Sequence, residues 1–304
     1  MDASVLTRWE FDPAVILGLV LAAVLYWRGR RLSIKIIGGR APNHRPWQTV
    51  AFAAGLLTIF LALQSPIGAY DDSLFWVHMI QHVLLFAVAA PLLSLGDSIV
   101  PLMRGTPLTL RRKALGALSR QPWARRLGAV FSWLRRPRQI LAIFVVDMYF
   151  WHWSWLFNLT LTNQAIHDLE HLSFLVTGLL FWSQIVDQRT VHTQLGYVER
   201  ALYVVIAGFS TNFLAMFFVF APRPLYSGYA GVVHRPGGIT ALADQQYAGA
   251  IMWVPVLFLF GVAFSVCMFK WLGQDEALYD LPNRSTPARS ALRDRVDGTA
   301  VRLP

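Results

Sequence analysis

Apolar and polar positions fall in long blocks along this chain, not in the twos of a half-buried strand. Seven mostly apolar runs stand out, at roughly Pro13–Trp27, Trp47–Ile67, Leu74–Leu95, Gln139–Leu159, Ile166–Val186, Ala201–Ala221 and Tyr247–Leu272. About 20 such residues, coiled as a helix, cross the ~30 Å of hydrocarbon in a bilayer. A transmembrane barrel would instead show short alternating segments. The pattern therefore predicts an all-α integral membrane protein, a seven-transmembrane-helix bundle. Trp27, Trp47, Trp76, Trp253 and Trp271 fall near the ends of runs, where interfacial tryptophans collect. Pro91 and Pro255 sit inside the third and seventh runs and are expected to kink them. No internal repeat is visible. From Gly273 the chain turns polar and arginine-rich, which divides it into a transmembrane domain (1–272) and a flexible cytoplasmic tail (273–304).

Composition agrees with this reading. Of 304 residues, 55% are hydrophobic and only 14% charged, against about 25% charged in ordinary soluble domains. The formal net charge of +10 would suit a nucleic-acid partner, but the placement of the cations assigns them to membrane topology instead. The connection after the first run holds six basic residues, from Arg28 to Arg45. The one after the third holds ten, from Arg104 to Arg138, with no acid. Arg189 and Arg200 follow the fifth run, and Lys270 with the tail adds six, so 24 of the 27 Lys and Arg share one side. Arg8, Arg223 and Arg235 remain on the other side, with the acidic turn Asp71–Asp72. The bilayer is thus the expected environment, with the N-terminus outside and the C-terminus cytoplasmic. Glu10 and Asp12 precede the first run and arginines follow it, the reverse of a cleavable signal. Within Arg111–Arg136, bases interleave with Leu115, Leu118, Trp123, Leu127, Phe131 and Trp133. This stretch is either a plain topology-setting loop or an amphipathic segment lying on anionic lipid.

Ionisable residues within spans mark functional sites. Of eight histidines, His44, His192 and His234 lie in loops, while His78, His82, His152, His167 and His171 lie in spans, all toward the outer side. His78–His82 and His167–His171 are i,i+4 pairs, which puts two rings on one helix face and lets them converge on a metal at about 2.0–2.1 Å. Imidazole suits copper, zinc and iron, and thioether suits Cu(I). Met79, Met148, Met216 and Met252 share these spans, though methionine more often fills packing gaps. Asp147, Asp168 and Glu170 are close enough in sequence to orient ligating imidazoles. Asn212 is a second possible partner for Asp147. The lone Cys267 excludes an internal disulfide and any paired-cysteine metal site.

Two stretches resemble the seven-span CtaG-type family of cytochrome c oxidase (caa-type) assembly factors. One runs His78-Met-Ile-Gln-His-Val-Leu-Leu-Phe-Ala-Val-Ala-Ala-Pro-Leu-Leu-Ser-Leu-Gly-Asp97. The other is His167-Asp-Leu-Glu-His-Leu-Ser-Phe-Leu-Val-Thr-Gly-Leu-Leu-Phe-Trp182. The resemblance implies a protein of the bacterial inner membrane that helps install copper in a haem-copper oxidase. It carries over His78, His82, His167 and His171, with His152 less securely. The implied cargo is copper as Cu(I), and the implied partners are oxidase subunits and periplasmic copper chaperones. Tyr-containing Pro222–Gln246 is an outer loop suited to docking or capping.

Three other readings start from the same residues. His167-x-x-Glu170-His171 matches the H-x-x-E-H of inverted zinc peptidases, which would make the chain an intramembrane zinc metallohydrolase with Glu170 activating water. Histidines on neighbouring spans are also the usual ligands of a b-type haem, although haem wants one ring on each face. A copper transporter would carry its ligands through the midplane. No nucleophile–base pair stands out, so no enzyme activity is expected.

Overall fold

The computed structural model describes residues 8–36, 45–119, 121–188, 193–233 and 235–299. His44, His192 and His234 lie outside them, as do Arg40, Arg120, Arg189 and Arg302. Every regular element among the described residues is helical. The order is α1 (Pro13–Ile36), α2 (Pro46–Gln64), α3 (Pro66–Ala69), α4 (Phe75–Val83), a π-helical stretch Leu84–Ala89, α5 (Ala90–Leu95), α6 (Ile99–Gly105), α7 (Leu108–Ser119), α8 (Pro122–Leu134), α9 (Pro137–Trp151), α10 (Ser154–Thr160), α11 (Gln164–Ile185), α12 (Tyr197–Phe220), α13 (Ser227–Ala230), a 3-10 turn Pro236–Gly238 and α14 (Ala241–Thr299).

Five helical stretches are long and apolar enough to cross a bilayer: Pro13–Ser33, Pro46–Ala69, Phe75–Leu95, Tyr197–Phe220 and Ala241–Gln274. A sixth is added if α9 and α10, bent by 75° at their junction, count as one span. The helix α11 has 22 residues but falls outside this set. Its first two turns carry His167, Asp168, Glu170 and His171, and these lower its hydropathy. Membrane character is also evident in what faces outward. Phe209, Phe213, Phe258 and Phe269 are largely exposed, an arrangement suited to lipid and costly in water.

Two runs differ from a straight-helix expectation. The fourth is broken: α9 ends at Trp151 and α10 restarts at Ser154, although no proline or glycine marks the junction. The third widens to π-helical hydrogen bonding before Pro91, where a kink was expected. The reason is local. Pro91 has no N–H to donate, and the backbone adopts the i→i+5 register, with Ala90 N–H bonding to Leu85 O. That register assigns Phe86 O to Pro91, which has nothing to give. The Trp182 indole of α11 fills the gap, donating from Nε1 to Phe86 O at 2.7 Å. Pro255, by contrast, lies within the continuous α14, which runs past Leu272 to Thr299 through the polar stretch.

The positions of small residues set the close crossings. A Cβ at Gly178 of α11 would stand 3.0 Å from Phe86 Cα and 3.1 Å from Ala90 Cβ, so this glycine lets α11 lie against the π-helical stretch. Gly29 of α1 and Gly105 of α6 likewise meet the other helix's backbone, at Pro101 O and Leu25 O, the small-residue contact by which membrane helices approach. Helix α11 thus runs beside α4–α5 in the same direction and in fixed register. His171 sits at the level of His78 and His82, and Phe174 at the level of His82 and Phe86.

The basic stretch after α6 forms helices α7 and α8. Leu108, Leu110, Trp123, Val130 and Trp133 are exposed along them.

Candidate metal centre

The register just described brings all five span histidines together. Ring centroids lie 4.5 Å apart for His78–His82, 4.2 Å for His167–His171, 5.0 Å for His78–His167 and 5.4 Å for His82–His171. His152 reaches the same cluster from the α9–α10 break, 5.8 Å from His82. It is not in a final helical turn, as the apolar run suggested. It caps α9, and the break turns its ring inward. All five side chains are buried.

Three hydrogen bonds fix the tautomers. A carbonyl only accepts, so His152 Nδ1, 2.7 Å from Met148 O, carries its proton there. In the neutral ring the Nε2 lone pair then faces Met79 Sδ at 3.5 Å. The Tyr229 hydroxyl donates to Asp71 O at 2.5 Å. It therefore accepts from His78 Nδ1 at 3.1 Å, which leaves the His78 Nε2 lone pair to accept from His82 Nε2–H, 2.9 Å away. Metal-binding histidines are commonly oriented in this way, through the ring nitrogen that does not bind the ion.

Glu170 occupies the middle of the cluster. It is fully buried, with Oε2 3.4 Å from His78 Nε2 and Oε1 3.6 Å from His82 Nε2. Neither oxygen has a partner in hydrogen-bonding geometry among the described residues, the neighbouring Thr160 hydroxyl donating to Phe157 O at 2.7 Å instead, and His82 Nδ1, His167 Nε2 and His171 Nε2 are also without one. Buried polar groups normally have partners, and a group left without one costs about 1–3 kcal/mol. Ring nitrogens and carboxylate oxygens without partners converge here, and a cation among them would satisfy them. Two ligand sets have all their donor atoms within 4.8 Å of one another: His78, His167 and His171, and His78, His82 and Glu170. Ligands about 2.0–2.1 Å from one ion are at most about 4.2 Å apart, so small ring movements suffice.

The other candidates are placed less centrally. Asp147 accepts from Trp151 Nε1 at 3.0 Å and Thr177 Oγ1 at 2.8 Å, and holds α9 to α11 rather than touching an imidazole. Asp168 is exposed and accepts from Gln164 at 2.9 Å. Asn212 is not the partner of Asp147, and its own Oδ1 is without a bond. Among the described residues the methionine sulfur placed against a site histidine is that of Met79; Met148 meets His152 through its carbonyl and otherwise packs in the core with Met252, and Met216 is partly exposed.

Three participants were not singled out from sequence. Asp71, read there as part of an outer acidic turn, lies 3.7 Å from His167 Nε2. Burial, and then its neighbour Asp72, pushes its carboxyl well above the usual range. Tyr229 carries the bond that orients His78. Tyr226 donates to His152 O at 2.9 Å, satisfying a carbonyl freed by the helix break. The segment around α13 therefore folds over the cluster as a cap. Beneath the cluster, the packed rings of Phe86, Phe144, Phe174 and Phe181 seal it from the rest of the bundle. The imidazoles touch one another, so no slot between them admits a porphyrin.

These features define a multi-pass helical membrane protein with a buried histidine–carboxylate cluster at one end. The chain belongs to the family of cytochrome c oxidase caa3 assembly factors, whose family model matches residues 20–274. The resemblance carried by the two histidine-containing stretches is thereby borne out. Among curated relatives, uncharacterized proteins of Mycobacterium bovis and Mycobacterium tuberculosis are each 25% identical over 291 residues, 93% of this chain and 42% of theirs. An uncharacterized protein of Mycobacterium leprae is 24% identical over 282 residues, 88% of this chain and 40% of its own. The chain thus spans about two-fifths of the length of the curated relatives it matches. No solved structure matches it significantly.

Proposed function

We propose that this protein assists assembly of a haem-copper cytochrome c oxidase by holding copper at the cluster of His78, His82, His152, His167 and His171 with Glu170, and passing it to an oxidase subunit. The observation that carries the reading is the convergence of buried imidazole nitrogens on a buried carboxyl group, several of these atoms without hydrogen-bond partners. Met79 favours copper: its thioether faces the His152 lone pair, and sulfur with imidazole suits Cu(I). In this reading seven helices span the bacterial inner membrane, with α11 as the additional span and the N-terminus outside. The cluster then faces the compartment from which periplasmic copper chaperones supply it. The aromatic layer beneath it supports a carrier over a transporter, which would need ligands through the midplane.

A second reading keeps one specific observation. His78, His167 and His171 form a three-histidine set with Glu170 beside it, which is the composition of a hydrolytic zinc site. Glu170→Gln separates the two. A zinc hydrolase loses all activity, whereas a copper carrier keeps most of its metal binding on the imidazoles. The functional test is the copper content of the oxidase from cells lacking this protein, complemented with native chain or with His78→Ala/His171→Ala. Restoration by the native chain alone supports assembly. Full copper loading with the double variant contradicts it.

A further inference from the structure

A cleft leads from the surface to the cluster. It has a volume of about 640 Å³ and opens between the start of α1, the end of α2, the turn before α4 and the start of α11, and His167 and His171 form part of its lining. Four carboxylates line the same cleft, Glu10, Asp12, Asp72 and Asp168, together with the buried carboxyl group of Asp71. Its described lining contains no lysine or arginine. The neighbouring Arg8 is turned onto the Tyr70 ring.

We infer that this cleft is a cation-collecting vestibule, which draws a positively charged metal ion toward His167 and His171. Acidic residues alone would not establish this. The independent observation is what the cleft ends on: His167 Nε2, His171 Nε2 and Gln81 Oε1 are buried acceptor-capable atoms in its lining without hydrogen-bond partners. The acids come from three separate stretches of chain, and the packing holds them there. Gln64 at the end of α2 accepts from Asp12 N through Oε1 at 2.7 Å and from Glu10 N through its carbonyl at 3.2 Å, which fastens the start of α1 to the cleft wall. Asp12 Oδ1 in turn accepts from Ala14 N at 2.7 Å. A cleft lined by one sign of charge between low-dielectric walls focuses the field, raising local cation concentration and association rates by about 10- to 1,000-fold. Asp168 thus acts in the approach to the site, not on a ligating ring. His167, 3.7 Å from Asp71, is the first imidazole an entering ion meets beside a carboxyl group. The inference rests on the cluster being the ion's destination, but its electrostatic part is separable.

The test has two arms on detergent-purified full-length chain. In the first, Ag(I), a redox-stable stand-in for Cu(I), is mixed rapidly with native chain and with Asp12→Asn/Asp72→Asn/Asp168→Asn. Uptake by the variant is expected to be about tenfold slower at low salt, with a flattened salt dependence and unchanged final stoichiometry. In the second arm, Gln164→Cys at the cleft is labelled with cationic and anionic thiosulfonate reagents. The cationic reagent is expected to react at least about tenfold faster, and the ratio to collapse when the three acids are neutralised. Equal uptake rates with and without the acids, or a labelling ratio near one with the acids intact, overturns the vestibule. Collapse of the ratio in a chain that takes up no Ag(I) upholds the vestibule and overturns the metal centre.

Discussion

The two ends of the bundle each bury ionisable side chains and treat them oppositely. At the end away from the histidines, Arg200 is saturated. Its guanidinium donates to Asp187 at 2.5 Å, to Ile185 O at 3.2 Å and to Leu195 O at 3.1 Å. Lys270 and the Tyr197 hydroxyl complete the Asp187 carboxylate at 2.6 and 3.1 Å. Thus α11, α12 and α14 are tied by a network in which each charge has its partner. At the histidine end, buried ring nitrogens and carboxyl oxygens converge and several have no partner. A satisfied network stabilises a fold, whereas an unsatisfied one of convergent ligand atoms is arranged for something that arrives later. Burial alone does not distinguish the two, but an account of partners does.

The sharpest break of this contrast is His78→Ala/His171→Ala. It is expected to reduce bound copper from about one or two ions per chain to background, while the metal-free protein still folds with a cooperative thermal transition. Metal analysis and thermal denaturation in detergent check both halves. Arg200→Ala should do the reverse. Losing its charge-assisted hydrogen bond costs about 1.5–3 kcal/mol, seen as a lower melting temperature, with metal stoichiometry preserved.

Gly178→Ala is expected to cost about 1–2 kcal/mol by pushing α11 off the π-helical stretch. It should also weaken copper retention, because the register that aligns His171 with His78 and His82 shifts. A competition titration against a chelator reads this. The smallest effect concerns pH. Burial alone would raise the Asp187 carboxyl, but Lys270 and Arg200 outweigh it and hold it at about 2. A folded value below the ordinary one, about 3.9 unfolded, gives stability that is complete above about pH 4–5 and lost as pH falls toward 2. Asp187→Asn should therefore flatten the melting temperature only below about pH 5.

The sequence made the helical membrane class and the five histidines visible, because long apolar runs and i,i+4 pairs are local signals. The i,i+3,i+4 spacing of His167, Glu170 and His171 also put all three on one face, but not at which distance from His78. That distance depends on Gly178, Trp182 and Pro91 acting together across two helices. The break at His152 left no trace, since Trp151-His-Trp-Ser154 contains neither proline nor glycine. Asp71 reaches the site from the turn before α4 and Tyr229 from the short helix α13, and nothing in their neighbourhoods marks which span they will meet. Asp147 and Asp168 are close to the cluster in sequence, but Asp147 ties α9 to α11 and Asp168 lines the cleft leading to the imidazoles, so neither makes the ring contact expected of it.

The central claim is that the unpartnered end of the bundle is a metal centre. Its most direct test is the metal content of the detergent-purified protein after anaerobic Cu(I) loading, measured beside His78→Ala/His171→Ala. The account predicts about one or two coppers per native chain and none above background in the variant. Equal copper in both proteins, or none in either, would contradict it.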